Sequence, residues 1–158
     1  MPKVDISAVA PKLGSDYPHP FNLPLDGRQA RSVTAGVGVT DFNANHVIVP
    51  PGCWSSQRHW HEGEDEMVVI LSGEGILIDD EGRHGMTMGD IAVFPKGDGN
   101  GHKLVNESTS DLVLLAMSRP EASTVHYSDI DLIWTPEGGE QHRDGTPYAS
   151  PASAISQC

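Results

Sequence analysis

Two histidines one residue apart, His59 and His61, stand directly before a group of acidic residues and a continuous apolar run. In a strand, residues i and i+2 point to the same face about 7 Å apart, so both imidazoles can turn toward one ion beside the sheet. Glu66 opens the apolar run and could add a third ligand from the next strand, while His102, after a glycine-rich stretch, could add a fourth. Imidazole and carboxylate ligands of this kind suit divalent transition metals. A solvated, charged strand edge is the alternative, and the histidine pair alone leaves both interpretations open.

Short apolar runs occupy the middle of the chain, about ten residues apart and separated by glycine, proline and acidic turns. The runs are HVIV, EMVVIL, GILI, IAVF, HKLV and LVLLAM. Such spacing predicts an all-β fold, an antiparallel sandwich or barrel, and no window predicts a long amphipathic helix. EMVVIL and LVLLAM are apolar at both odd and even positions, so we expect both faces of their sheet to be covered. A second subunit is the simplest cover for the outer face, which predicts a homodimer.

Composition divides the chain into three parts. Residues 1–31 are rich in proline and predict an extended arm, residues 32–120 carry the fold, and residues 121–158 form a C-terminal segment. From about residue 135 onward the chain lacks apolar periodicity, which predicts a loose tail.

Acidic residues outnumber basic residues by 22 to 10, which gives a formal net charge of -12. Nucleic acids and anionic membranes both bind basic surfaces, so we expect neither as a partner. The N-terminal residues contain no long apolar stretch, and we expect neither a signal peptide nor a membrane span. The two cysteines, Cys53 and Cys158, provide no disulfide framework, which favours a reducing cytoplasm.

Two sequence motifs resemble those of the cupin superfamily. The first family motif is a glycine, five residues, His-x-His, three or four residues, a glutamate, six residues and a glycine. Here Gly52 is followed by six residues, His59 and His61, then Glu66 after four more and Gly73 after a further six. Asp65 would also fit the shorter gap, but it would leave seven residues before Gly73.

The second family motif is a glycine, five residues, Pro-x-Gly, two residues, a histidine, three residues and an asparagine. Gly89, Pro95 and Gly97 match it, four residues instead of two precede His102, and Asn106 follows at the expected distance. Both departures from the family pattern fall in loops. The match covers about residues 52–106.

This resemblance implies a jelly-roll β-barrel, also called a double-stranded β-helix. It also implies one divalent metal ion per chain inside the barrel, held by His59, His61, Glu66 and His102. The ion could be Fe, Mn, Ni, Co or Zn, because the ligand set does not choose among them. More narrowly, the chain resembles small single-domain bacterial cupins, some of which are called sugar-phosphate isomerases by analogy.

Three functions are compatible with such a site. The first is a metal-dependent enzyme acting on a small oxygen-bearing metabolite, by dioxygenase-like or by isomerase- or lyase-like chemistry. The second is a non-catalytic protein that binds a metal or a small ligand. The third is a barrel with a vestigial site that serves assembly, and the complete ligand set argues against it. A sugar-phosphate isomerase should have arginines or lysines clustered at its pocket, and with ten basic residues in total the sequence does not favour that reaction. No general base is evident from the sequence.

Overall fold

The computed structural model describes residues 3–119 and 122–148. Within these residues the chain forms thirteen short strands and two 3-10 helices, and no helix is long and apolar enough to cross a bilayer. The helices are Ile6–Ala8 and Leu23–Leu25. The strands are β1 (Lys12–Leu13), β2 (Gln29–Ser32), β3 (Asn43–Val49), β4 (His59–His61), β5 (Glu66–Ser72), β6 (Glu74–Asp79), β7 (Gly82–Thr87), β8 (Ile91–Phe94), β9 (Lys103–Val105), β10 (Leu112–Ser118), β11 (Val125–Tyr127), β12 (Ile133–Thr135) and β13 (Gly139–Gln141).

All strand pairs are antiparallel and they build three sheets, which confirms the predicted all-β fold class. The six-stranded sheet has the order β1-β2-β3-β10-β5-β8, the four-stranded sheet β13-β12-β11-β4, and the three-stranded sheet β7-β6-β9. The apolar core combines inward side chains of the six-stranded sheet with those of the three-stranded sheet. Its buried members are Val47, Val49, Val68, Ile70, Leu77, Met86, Leu104, Leu112 and Leu114.

The six apolar runs found in the sequence coincide with β3, β5, β6, β8, β9 and β10. Both ends of the described chain add further strands, which the hydrophobic pattern did not predict. In the N-terminal arm, β2 pairs with β3 and extends the six-stranded sheet. On the C-terminal side, β11 pairs with β4, the strand that carries the two histidines.

Part of the predicted loose tail is ordered. Residues 139–141 form β13 and pair with β12, because a turn containing Gly138 and Gly139 reverses the chain. Paired backbone groups define this hairpin, so apolar periodicity gave no signal for it. Residues 149–158, including Cys158, and residues 120–121 at the predicted domain boundary lie outside the described residues.

Asn106, the last residue of the second motif, has a structural role. Its side chain is 1% exposed and donates hydrogen bonds of 2.7 Å to the carbonyls of Val49 and Ser110. Its oxygen accepts hydrogen bonds from the backbone N–H and the hydroxyl of Ser108. One amide thus fixes the loop before β10 against the end of β3.

Replacing Asn106 by alanine should destabilise the fold, because it removes the side-chain donor to the buried Val49 carbonyl and all four hydrogen bonds that hold the loop before β10. We expect a loss of about 2–4 kcal/mol in the free energy of unfolding, measured by urea denaturation. Asn43→Ala, at an exposed position of β3, is the matched control and should change that free energy by about 0.5 kcal/mol or less. Equal effects of the two substitutions would contradict this account of Asn106.

Candidate metal centre

Backbone pairing brings the histidines of the two motifs together. His59 and His102 face each other in an antiparallel bridge, with N–H to O=C hydrogen bonds of 3.1 Å and 2.9 Å. His61, two residues along β4, lies on the same face as His59. The two imidazole ring centres of β4 are 5.0 Å apart, and those of His59 and His102 are 4.9 Å apart.

The long loop of the second motif is held in place on both sides. Arg58 donates a hydrogen bond of 2.9 Å from Nε to the carbonyl of Gly101, next to His102. The Asn100 side chain accepts a hydrogen bond of 2.9 Å from the backbone N–H of Asp80. The two extra residues of this loop therefore leave the position of His102 well defined.

The carboxylate of Glu66, the first residue of β5, lies among the three imidazoles. Its Oε2 is 3.7 Å from Nε2 of His59, 3.3 Å from Nε2 of His61 and 3.0 Å from Nε2 of His102. The ligand atoms of His59, His61 and Glu66 all lie within 4.8 Å of one another, so these three residues could hold a metal ion. His102 contacts the carboxylate but does not belong to this closest group.

The outer ring nitrogens of the two β4 histidines have partners of their own. Nδ1 of His59 is 2.8 Å from the carbonyl of Gln57, so it carries the proton and donates it, which leaves Nε2 free as a ligand. Nδ1 of His61 lies 3.2 Å from Oε2 of Glu64, close enough for an ion pair but not directed as a hydrogen bond. Carbonyl and carboxylate partners of this kind orient metal-bound histidines.

Unpaired buried nitrogens also fit a metal site. Within the described part of the chain, three buried ring nitrogens lack a directed hydrogen-bond partner. They are Nδ1 and Nε2 of His61 and Nδ1 of His102. The His102 ring is stacked on Phe94 with ring centres 3.5 Å apart. A cation bound at Nε2 of His61, beside Glu66, would satisfy one of these three atoms, and buried polar groups are costly to leave unpaired.

Burial and neighbouring charges shift the pKa values of three residues of the site. Burial lowers the pKa of His59 to about 4, so this imidazole is neutral at pH 7. Burial also acts to lower the pKa of His61, but contacts with Glu64 and Glu66 outweigh it and raise that pKa to about 9. Burial acts to raise the pKa of Glu66, but the hydrogen bond with His102 and the close contact with His61 reverse the effect and hold that pKa well below its usual range. The carboxylate is therefore ionised at every physiological pH.

A cavity of about 440 Å³ contains the candidate ligands His59, Glu66 and His102 in its wall. Much of the remaining wall is apolar and comes from the core strands. The apolar lining includes Val47, Val68, Phe94, Leu104 and Leu114. Small-molecule sites commonly combine such walls with a few converging polar groups.

The termini contribute polar groups to this region that sequence analysis missed. Tyr17, Arg28 and Glu140 all line the cavity, the first two from the N-terminal arm and the third from β13. The rings of Tyr17 and Tyr127 meet edge to face at 5.5 Å, and the Tyr127 ring centre is 6.0 Å from that of His59. No spacing pattern links these residues in sequence, since they meet only through pairing of the added strands.

Two neighbours of the predicted ligands point elsewhere. Asp65, the alternative acid, accepts a hydrogen bond of 2.9 Å from the backbone N–H of Lys96. Trp60, between the two histidines, is stacked on His126 with ring centres 4.2 Å apart, on the other face of β4. The structure thus brings Glu66, and not Asp65, to the imidazoles.

Comparison with known proteins places the chain in a family. A family profile described as "Cupin domain" matches residues 45–118. The chain is 35% identical to a sugar phosphate isomerase of the cupin superfamily from Silicibacter pomeroyi, with a TM-score of 0.87 over 94% of this chain and 98% of that chain. The chain belongs to the cupin superfamily. The predicted jelly-roll barrel is therefore confirmed as the cupin double-stranded β-helix.

Two further cupin-like structures are more distant. A protein proposed to be a sugar phosphate isomerase, from Acidithiobacillus ferrooxidans, is 26% identical, with a TM-score of 0.67 over 73% of this chain and 74% of that chain. A predicted oxalate decarboxylase from Thermotoga maritima is 24% identical, with a TM-score of 0.61 over 74% of this chain and 97% of that chain, and shares the fold. No curated protein matches the chain significantly.

The raised pKa of His61 predicts a pH dependence of stability in chelator-treated protein. The folded-state pKa is about 9 and the unfolded-state value 6.5, so the extra stability is fully present below pH 6.5 and is lost as the pH rises through 9. We expect the free energy of unfolding to fall by on the order of 3 kcal/mol across this window.

Chemical denaturation at several pH values measures this loss. His61→Gln should flatten the profile, whereas His126→Gln, a matched change at a histidine paired with Glu62 on the other face of β4, should leave the slope intact. A wild-type profile that is flat between pH 6.5 and 9 would refute the assignment.

Proposed function

We propose that this cupin is a metal-dependent enzyme acting on a small oxygen-bearing metabolite. The observation that carries the proposal is the convergence of three imidazole Nε2 atoms on the Glu66 carboxylate, which lines a cavity together with His59 and His102. Imidazole nitrogens and a carboxylate form a ligand set for divalent transition metals. The sequence and the fold leave Fe, Mn, Ni, Co and Zn as candidates.

In this proposal His59, His61 and Glu66 hold the ion and His102 completes the set as a fourth ligand. The contact of His102 Nε2 with the Glu66 oxygen at 3.0 Å supports its inclusion. When bound, the metal would act as a Lewis acid that polarises a carbonyl or hydroxyl oxygen of the substrate. In this proposal Glu66 is a ligand and not the general base, because the surrounding imidazoles hold its pKa well below its usual range and make it a weak proton acceptor.

The chain's own residues prepare the site for that role. The Gln57 carbonyl fixes the tautomer of His59, and Glu64 lies beside His61 and strengthens its basicity. The apolar side chains of the cavity wall exclude water from the reacting end of the substrate, which strengthens electrostatic interactions there.

Isomerisation or lyase chemistry is the reaction class that we favour within this proposal. The relative from Silicibacter pomeroyi that covers nearly the whole chain is called a sugar phosphate isomerase. A scarcity of basic residues weighs against such a reaction, but one arginine, Arg28, does line the cavity. Dioxygenase-like chemistry and non-catalytic binding are the alternatives that the experiment must separate. The free thiol of Cys53 is in keeping with a cytoplasmic location, which is part of the proposal.

The decisive experiment loads the chelator-treated protein separately with Fe(II), Mn, Ni, Co and Zn. We expect about one ion per chain by metal analysis, and we expect His61→Ala to lose most of it, with His126→Ala as the matched control that keeps it. Each loaded form is then screened by thermal shift against sugars, hydroxy acids, diketones and catechols, because ligand at a hundred times its Kd adds about 2.7 kcal/mol of stability.

Stabilising compounds are next tested for conversion by mass spectrometry and for oxygen uptake. Isomerised or cleaved products without oxygen uptake would support the proposal, and oxygen uptake with Fe(II) alone would favour the dioxygenase alternative. Tight binding without conversion in every metal-loaded form, or a protein that binds no metal, would refute the proposal that this protein is an enzyme.

We further propose that the protein is a homodimer joined through the outer face of the six-stranded sheet. On the edge strand β8, Ile91 and Val93 are 61% and 66% exposed. Their cross-strand neighbours on β5 are Val69 and Met67. Leu71 continues the patch and is 42% exposed. This apolar surface is one that a second copy would cover.

Val93→Lys should convert the proposed dimer to a monomer, because it places a charge at the most exposed position of this apolar patch. Multi-angle light scattering at micromolar concentration measures the mass. Val37→Lys, at a position 55% exposed in the loop between β2 and β3, is the control and should leave the mass unchanged. A monomeric wild-type protein under the same conditions would contradict the dimer.

A further inference from the structure

The N-terminal arm lines the same cavity as the candidate metal ligands. Strand β1 pairs with β2, with Lys12 opposite Ala30, and the backbone N–H of Gly14 donates a hydrogen bond of 2.8 Å to the carbonyl of Arg28. Ser15 and Arg28 thereby come to the cavity wall from two adjacent stretches of the arm.

Arg28 is a partly buried cation with little to balance it. Its Nε is buried and has no hydrogen-bond partner. Among the described residues, its side chain donates one long hydrogen bond, of 3.4 Å from Nη1 to the Gly14 carbonyl, and forms no ion pair with a carboxylate. Burial lowers the pKa of Arg28 below its usual value, but a guanidinium stays charged at neutral pH. Such a charge is expensive to bury unless an anion accepts its protons.

Ser15 offers a second unused donor in the same wall. Its hydroxyl is buried and, within the described residues, has no hydrogen-bond partner. Ser15 directly follows Gly14, the residue that Arg28 contacts. Two neighbouring donors that lack acceptors form a binding site for a group rich in acceptor oxygens.

The other charged groups of the cavity wall differ from Arg28 in having partners or in a weakened charge. Lys12 is exposed and forms an ion pair with Asp16, so its charge is already balanced. Glu66 is held by the imidazoles. Glu140 is half-buried, and burial followed by repulsion from Asp16 raises its pKa, which weakens its competition for Arg28. Arg28 is thus the cation of this wall that lacks a carboxylate partner among the described residues.

We propose that Arg28 and Ser15 form an anion-recognition subsite for the substrate of this cupin. The substrate class is then a small hydroxylated metabolite that carries a carboxylate or phosphate group, with its metal-binding oxygens at another part of the molecule. This inference rests on the proposed function for the role of the ligand as a substrate. A planar guanidinium can donate two parallel hydrogen bonds to either anion, and a hydroxyl can add a third.

The subsite can be tested without any metal or turnover. Inorganic phosphate and acetate serve as probes and are titrated into chelator-treated protein by isothermal calorimetry. Arg28→Gln should weaken the binding of the preferred probe about ten- to hundredfold, the effect of losing charge-assisted hydrogen bonds. Arg31→Gln, three residues along the arm at a side chain that donates to the Val9 carbonyl and does not line the cavity, is the matched control and should change affinity less than about twofold.

Two further variants keep the test decisive. Ser15→Ala should weaken the binding of the same probe by about fivefold. This variant still tests the subsite if Arg28→Gln fails to fold. His61→Ala, expected to lose the metal, should retain anion affinity, so failure of the metal proposal and failure of the subsite give different results. A preference for phosphate over acetate assigns phosphate esters as the substrate class, and the reverse preference assigns carboxylates.

Some outcomes would overturn the subsite. These are equal affinity in wild type and in both Arg28→Gln and Ser15→Ala, loss of anion binding in His61→Ala, or no saturable binding of either probe below about 100 mM. The second outcome would place the anion at the histidines instead of at the arm.

Discussion

The carboxylate of Glu66 is the group on which this structure depends most. It is buried among three imidazoles at distances of 3.0–3.7 Å, and its negative charge is stabilised only because those rings surround it. Holding them there requires three separate pieces of chain in fixed register. β4 supplies two rings at alternate positions, the bridge between His59 and His102 supplies the third, and the first residue of β5 supplies the acid. A slip of one residue in any of these pairings would turn a ligand to the opposite face.

The ends of the chain complete the region around this cluster. β11 pairs with β4 directly, so Tyr127 comes to lie beside His59, and Tyr17 of the arm packs edge-on against Tyr127. The barrel strands alone would leave the cavity without these aromatic and basic groups. The site is therefore a joint product of the central barrel, which supplies the candidate ligands, and of both flanking segments, which supply much of the polar wall.

The sequence predicted those parts of the structure that have strong local signals. The barrel strands were evident because Val, Ile and Leu runs recur between turn residues, and the ligand candidates because His-x-His has a defined meaning on a strand. β2 and β11 were not evident, since they are only four and three residues long, too short for an alternation of apolar and polar residues to stand out. The position of Arg28 in the cavity wall could not be predicted either. It depends on how the short strand β1 pairs with β2, and the unpaired state of its Nε atom is visible only in the structure. Asn106 was predicted in part. Its spacing fits the second motif, but its four side-chain hydrogen bonds are visible only in the structure.

Because the arm, and not the barrel, supplies Arg28 and Tyr17, the proposed anion subsite and the candidate metal ligands are encoded in separable stretches of sequence. Substitutions in residues 12–30 can change the cavity wall without touching the strands that position the imidazoles. Related chains could in this way differ in the ligands they accept while keeping the same candidate metal ligands. For protein engineers, the arm is accordingly the segment to randomise when a new specificity is wanted from an unchanged barrel.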